Sequence, residues 1–179
     1  MALIIVSVVG LKKTGKTTVV EALVAEFKAR GMSVAAVKCM PHGNFSVHPE
    51  GKDTRRHAEA GADVVIAASQ GELTVVRRVE RFPSLGDIIE AAGPDPDVMI
   101  CEGLPWDGAD VQTVLAADGT DLAELNEVRG ERLNVVAVSG IVSNAASRIE
   151  GLDVPVVNVL VRGGAAELAD VLMACSGDR

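Results

Sequence analysis

Aromatic side chains are nearly missing from this chain: of 179 residues three are Phe, one is Trp and none is Tyr. A core must then be assembled from Val, Ala, Leu and Ile, which suits a buried parallel sheet layered with helices. Cysteine is scarce as well. Cys39, Cys101 and Cys175 lie far apart and are odd in number, which argues against a disulfide framework and for a reducing compartment. No apolar run approaches the ~20 residues that span a bilayer, and the opening MALIIVSVVG lacks the basic segment of a secretory leader. It reads as a buried strand, and the chain as a cytoplasmic protein without a membrane segment. Lysine stops at Lys52. Through His57, nine Lys plus Arg face four acids (Glu21, Glu26, Glu50 and Asp53), a balance of +5. The remainder carries eight Arg against 21 acids, a balance of −13, and together these give the −8 of the whole chain. An acidic total disfavours broad nucleic-acid binding, while the basic part suits a small polyanion.

What is present is an alternation of apolar runs and amphipathic segments. Residues 3 to 9 form a continuous apolar strand, and Thr17 to Arg30 has helical spacing with Val20, Leu23, Val24 and Phe27 on one face. A second strand runs from Val34 to Val37. The stretch CMPHGNFSVHPEGK, residues 39 to 52, has turn composition and the length of a functional loop. Asp53 to Ala60 is a short helix, and Val64 to Ala68 and Leu73 to Val79 are strands hairpinned through Gln70-Gly71. Leu85 to Ala92 is helical, and Val98 to Cys101 is a buried strand ending at Glu102. Val111 to Ala116 follows, then a helical patch near Leu122 to Val128. Strands at Val135 to Val138 and Val154 to Val159 precede a closing helix, Ala165 to Cys175, which buries Leu168, Val171, Leu172 and Cys175. The pattern predicts one α/β domain over residues 1 to 179, with a mostly parallel twisted sheet covered by helices on both faces.

Three stretches carry chemistry. Gly10-Leu11-Lys12-Lys13-Thr14-Gly15-Lys16-Thr17, followed by Thr18, matches G-x-x-x-x-G-K-[ST] and stands between a buried strand and a helix. Such a loop curls its backbone N–H groups around phosphate, and the helix adds the positive end of its dipole. Lys16 reaches the β- and γ-phosphates of a nucleoside triphosphate, and Thr17 offers a hydroxyl to Mg²⁺. In DVMICEGLPWDG, residues 97 to 108, Glu102 closes a strand at the ligand edge of a parallel sheet and can hold Mg²⁺. Gly103 lets the chain turn there, whereas Asp97 opens the strand at the opposite end. In GKDTRRHAEAGADVV, residues 51 to 65, Asp53, Arg56 and His57 share one helical face. That face suits a switch segment near metal and phosphates; Asp53 equally suits a helix cap, and Arg56 and His57 a solvated surface.

Together, VVGLKKTGKTTVVEAL, AVK, GKDTRRHAEAGADVV and an acid-Gly pair after an apolar strand resemble the MobB family of molybdopterin-guanine dinucleotide biosynthesis adaptor proteins. The likeness covers roughly the first 105 residues in order. It implies a P-loop GTPase fold, GTP and Mg²⁺ as ligands, and a homodimer acting beside the nucleotidyltransferase that attaches GMP to molybdopterin. It also implies molybdopterin or its dinucleotide as a neighbouring ligand. Lys16, Thr17, Asp53 and Glu102 then take the phosphate and Mg²⁺ roles, with Asp53 and Glu102 as the catalytic candidates and hydrolysis slow. The chain departs from the family pattern at Lys38-Cys39-Met40-Pro41-His42, where only His42 matches the usual histidines. It departs again at Leu104-Pro105-Trp106, where an aromatic and a Lys are usual. The guanine-reading N-K-x-D is absent: Asn126, Asn134, Asn144 and Asn158 are not followed by Lys. Ser139-Gly140 and the loop after Asn158 are the expected base-edge regions. Two rivals remain: a metal-delivery GTPase that uses Cys39 and His42 across a dimer, and a small-molecule kinase using the Arg55-Arg56 and Arg77-Arg78 pairs as a lid. Trp106 suits either a partner contact or packing under the loop.

Overall fold

The apolar run at the start of the chain becomes the middle of the sheet. The structure, a computed structural model describing residues 3–40, 53–93, 96–103, 110–118, 133–149 and 151–177, places β1 at Ile4–Val9 with all six residues buried. After it come α1 (Lys16–Ala29), β2 (Val34–Lys38), α2 (Asp53–Glu59), β3 (Val64–Ser69), β4 (Glu72–Arg77) and α3 (Leu85–Ala91). The chain continues through β5 (Val98–Glu102), β6 (Val111–Ala116), β7 (Val135–Ser139), a single 3-10 turn at Ile141–Asn144 and α4 (Gly164–Gly177). The expected helical patch at Leu122 to Val128 lies outside the described residues.

The framework divides into two compact units, Met1–Cys39 with Asp87–Arg179, and Met40–Gly86. In the first, five strands run parallel in the order β2-β5-β1-β6-β7. This is the parallel α/β sheet the alternating pattern predicted. Burial on both faces explains why β1 and β5 read as nearly continuous apolar runs, broken only by Ser7 and by Glu102 at the strand end, while β6 (VQTVLA) is equally buried although it carries Gln112 and Thr113. One face packs Ile4, Val6, Val8 and Ile100 against Val19, Leu23 and Phe27 of α1 and Leu168 and Leu172 of α4. Val19 is wholly buried and Val20 only partly, so the inward stripe of α1 is turned one residue from the predicted one. On the other face Val9, Leu115 and Val138 pack with Val142 of the 3-10 turn and with Ile149, Leu152 and Val154.

Val154 to Val159, expected as a strand, instead follows β7 through an isolated bridge, Val138 to Val156. Pro155 has no N–H to extend a ladder; two backbone bonds (Val138 N–H to Pro155 O, 2.9 Å; Val157 N–H to Val138 O, 2.8 Å) and the Ser139 hydroxyl donating to Val157 O at 2.7 Å join them. At Asn158 the chain turns, its side-chain oxygen accepting from the Leu160 N–H at 2.9 Å.

In the second unit, α2 precedes the antiparallel β3–β4 hairpin, closed by Gly71 at φ +95°. The Arg78 guanidinium donates to Ala58 O at 3.2 Å and ties the hairpin to α2. One hairpin face carries Val64, Ile66 and Ala68 opposite Arg77, Val75 and Leu73, and its large apolar side chains are exposed, Ile66 by 61% and Leu73 by 67%.

The α1–α4 contact separates two kinds of stabilisation. Phe27 is fully buried, whereas Arg30 joins Glu26 at 2.8 Å and a largely exposed Asp170 at 2.7 Å. Phe27→Ala should cost about 3–5 kcal/mol through its cavity, and Arg30→Ala about 1 kcal/mol or less. Urea denaturation of both variants measures this; an Arg30→Ala loss as large as that of Phe27→Ala would contradict it.

Candidate functional site

The carboxyl ends of β1, β5, β6 and β7 converge on the loop from Gly10 to Gly15. A Cβ on Gly10 would lie 2.0 Å from Ala116 O and 2.8 Å from Thr14 Oγ1, so only glycine lets the loop rest on the end of β6. Gly140, at the end of β7, backs the loop from the other side. Its φ is +82°, an added Cβ would meet Thr14 O at 2.3 Å, and the Ile141 N–H donates to Thr14 O at 3.2 Å. Inside the loop the Thr14 hydroxyl donates to Leu11 O at 3.1 Å, and the Lys16 ammonium reaches the same carbonyl. Lys13 holds a left-handed φ of +67°, a conformation that costs a non-glycine residue about 1–2 kcal/mol. It persists because the surrounding contacts over-determine the loop.

The start of α1 inverts the usual rules for a helix N-terminus. Gly15 at the cap (φ 93°) offers no side-chain acceptor, the first turn contains no acid, and Lys16 stands where an acid is favoured. Unsatisfied N–H groups, a dipole end and an ammonium therefore gather at one point. An anion with several acceptor oxygens satisfies all three. Lys12, Lys13, Thr17 and Thr18 are exposed around this point and Thr14 is buried beneath it.

Glu102 lies where the strand pattern put it, at the end of β5, with its side chain only 8% exposed. The Thr17 hydroxyl is 3.2 Å from each of its carboxylate oxygens, and the Lys38 ammonium pairs with Oε1. Lys38 and Glu102 are register partners on β2 and β5. A hydroxyl and a buried carboxylate form an oxygen-only donor set beside a phosphate-shaped loop, which fits Mg²⁺. Gly103 turns the chain away at φ +74°, its N–H donating to Val8 O at 3.0 Å. Asp97 sits at the far end of β5 and accepts the Ser33 N–H at 2.7 Å, a purely structural clamp.

Asp53 opens α2 in the other unit. It is exposed and 3.8 Å from Arg56 Nη1, so the shared face with Arg56 is real. Both expected base-edge segments border one cleft with the loop: Gly15, Thr18, Ile141, Asn144, Asn158 and Leu160 line it. The Asn158 amide donates to Asn144 Oδ1 at 2.9 Å across it. Lys38 and Gly140 carry more of the site than spacing suggested. Lys38 had a visible signal, a cation ending a predicted strand, but its pairing with β5 was not readable. His42 and Trp106 lie outside the described residues. Cys39 is buried at the end of β2, its N–H donating to Glu102 O at 2.9 Å. Among the described residues no three His, Cys, Asp or Glu side chains gather as a metal site.

With that geometry stands a family-scale likeness. Residues 5–138 match the family model described as molybdopterin guanine dinucleotide synthesis protein B, MobB. The chain belongs to the MobB family. It is 30% identical over 142 residues to a probable molybdopterin-guanine dinucleotide biosynthesis adapter protein of Bacillus subtilis, covering 75% of this chain and 74% of that one. It is 35% identical over 81 residues to the corresponding adapter protein of Haemophilus influenzae, covering 45% of each. The crystal structure of Bacillus subtilis MobB shares the fold at a TM-score of 0.72 and 24% identity, over 93% of this chain and 96% of that one. A crystal structure of molybdopterin-guanine biosynthesis protein B matches at a TM-score of 0.67 and 26% identity, over 95% and 97%.

Thiol chemistry at the site is testable. Burial pushes the Cys39 thiol up, and burial with Cys39 nearby pushes Cys101 up to about 12. A raised thiol pKa leaves the neutral, unreactive form in excess until pH approaches that value. In folded protein at pH 8, Cys101 should therefore resist iodoacetamide and become labelled only at much higher pH or on unfolding, as read by mass spectrometry. Rapid labelling of Cys101 at pH 8 would contradict this environment.

Proposed function

We propose that this chain is a GTP-binding adapter in molybdopterin-guanine dinucleotide biosynthesis, with weak GTPase activity. The observation that carries the reading is the uncapped start of α1, where Gly15 and Lys16 face the Thr17–Glu102 pair across the loop mouth. Family membership supplies the pathway.

In this reading, the backbone from Gly10 to Thr18 cradles the triphosphate, Lys12 and Lys13 add positive field at the rim, and Lys16 moves from Leu11 O to the phosphates. Thr17 and Glu102 hold Mg²⁺, which supplies charge neutralisation at the β- and γ-phosphates when bound. Asp53, Arg56 and His57 enter as candidate switch residues from their spacing on one helical face, and Asp53 from the family resemblance as well. The base lies against the edge formed by Thr18, Ile141 and Leu160, beside the bonded Asn144–Asn158 pair, with GTP favoured on family grounds alone because no N-K-x-D is present. A P-loop protein without a fixed water-positioning group hydrolyses slowly unless a partner provides one. Slow turnover suits a nucleotide state that governs binding to the molybdopterin nucleotidyltransferase, with molybdopterin or its dinucleotide as a further ligand.

The homodimer implied by the family has a surface suited to it. A two-stranded sheet is marginal alone, and the ladder of Val64, Ile66, Leu73 and Val75 is exposed. A second copy of the same face is its occupant in this proposal.

Removing a charge-assisted bond of this type costs about 1.5–3 kcal/mol. Lys16→Ala should thus bind GTP and ATP roughly ten-fold or more weakly while staying folded, as read by calorimetry. Unchanged binding would refute the phosphate assignment. Light scattering should give two chains per particle for the protein alone. A larger complex should form when the transferase is added, with GTP raising dinucleotide-cofactor yield. A monomer removes the dimer claim; no complex in any nucleotide state, with yield unaffected, removes the adapter reading.

A further inference from the structure

Lys38 belongs to neither the phosphate loop nor any role considered above, yet its ammonium is the charged partner of the buried Glu102 carboxylate. The two residues differ sharply in their access to water. Lys38's side chain is 53% exposed and that of Glu102 8%. The ammonium can therefore swing into solvent at little desolvation cost, but the carboxylate left behind would be a buried, uncompensated charge. Thr17 cannot compensate it, because its hydroxyl is neutral, although it lies 3.2 Å from both carboxylate oxygens. Oε1 is thus engaged by both Lys38 and Thr17.

We propose that Lys38 is a resident counter-cation: it pairs with the Glu102 carboxylate and must leave when a divalent cation binds there. This rests on the reading of Thr17 and Glu102 as the Mg²⁺ donors. Cation entry and Lys38 release are then one exchange, in which Glu102 is never left unpaired. The exchange lowers the affinity for bare metal, so a divalent ion binds more tightly with the extra phosphate oxygens of a nucleotide than alone. It also sends a freed ammonium to the ligand edge of the sheet only in the loaded state. A merely structural role for Lys38, neutralising a buried acid, predicts a loss of stability without any gain in metal binding.

The full-length protein is titrated with Mn²⁺ alone, free metal being read by electron paramagnetic resonance, for wild type, Lys38→Met and Lys38→Arg. Lys38→Met should bind Mn²⁺ about ten-fold more tightly than wild type, a typical coupling between competing ligands, and Lys38→Arg should stay near wild type. Equal, weaker or undetectable Mn²⁺ binding in Lys38→Met overturns the proposal. Should Lys38→Met fail to fold, wild type decides through reductive methylation followed by mass spectrometry. Lys38 modification should rise several-fold on adding Mg²⁺ with a non-hydrolysable GTP analogue, or Mn²⁺ alone at saturation. Unchanged modification with bound metal overturns it as well. Failure of the nucleotide reading itself appears separately, as absence of GTP-analogue binding in every variant, while the Mn²⁺ comparison still judges Lys38.

Discussion

The site depends on backbone lying against backbone. With a Cβ on Gly10 only 2.0 Å from Ala116 O, and one on Gly140 only 2.3 Å from Thr14 O, the phosphate loop is wedged between the ends of β6 and β7 with no room for a side chain on either side. That wedge holds Lys13 in its left-handed conformation and aims the first N–H groups of α1 outward. Loosening either contact would let the loop relax and blunt the anion site without touching a single charged residue. Glycine is needed here for its missing Cβ as much as for its dihedral freedom.

A second constraint is electrostatic. The mouth of the loop concentrates an ammonium, a dipole end and unpaired N–H groups, and the strand beside it ends in a buried carboxylate. Lys16 is bonded to Leu11 O, and Glu102 is engaged by Thr17 and Lys38. The charged side chains Lys16 and Glu102 thus have partners within the protein, whereas the first N–H groups of α1 have no side-chain cap.

Much of the fold was legible because parallel strands buried on both faces leave nearly continuous apolar runs, as β1 and β5 do, whereas the buried Gln112 and Thr113 blur that signal in β6. The one expected strand that did not form, Val154 to Val159, contains Pro155, whose missing N–H limits it to a bridge beside β7. Helix phase was less secure: Val19 and Val20 are the same residue type, and only packing against the sheet chose which one faces inward.

By itself, the sequence determined the local chemistry: the glycine and lysine spacing of the loop, Thr17 at its end, and an acid closing a buried strand. Those features depend on short-range geometry, in which a residue's neighbours along the chain dictate its conformation. Only the tertiary structure decided that Lys38 and Glu102 are register partners, that Gly140 braces Thr14, and that Asn144 meets Asn158 beside Gly15. The strand order β2-β5-β1-β6-β7 brings together residues separated by tens of positions, and that order is set by crossover packing and shared burial, which leave no local mark on the residues they join.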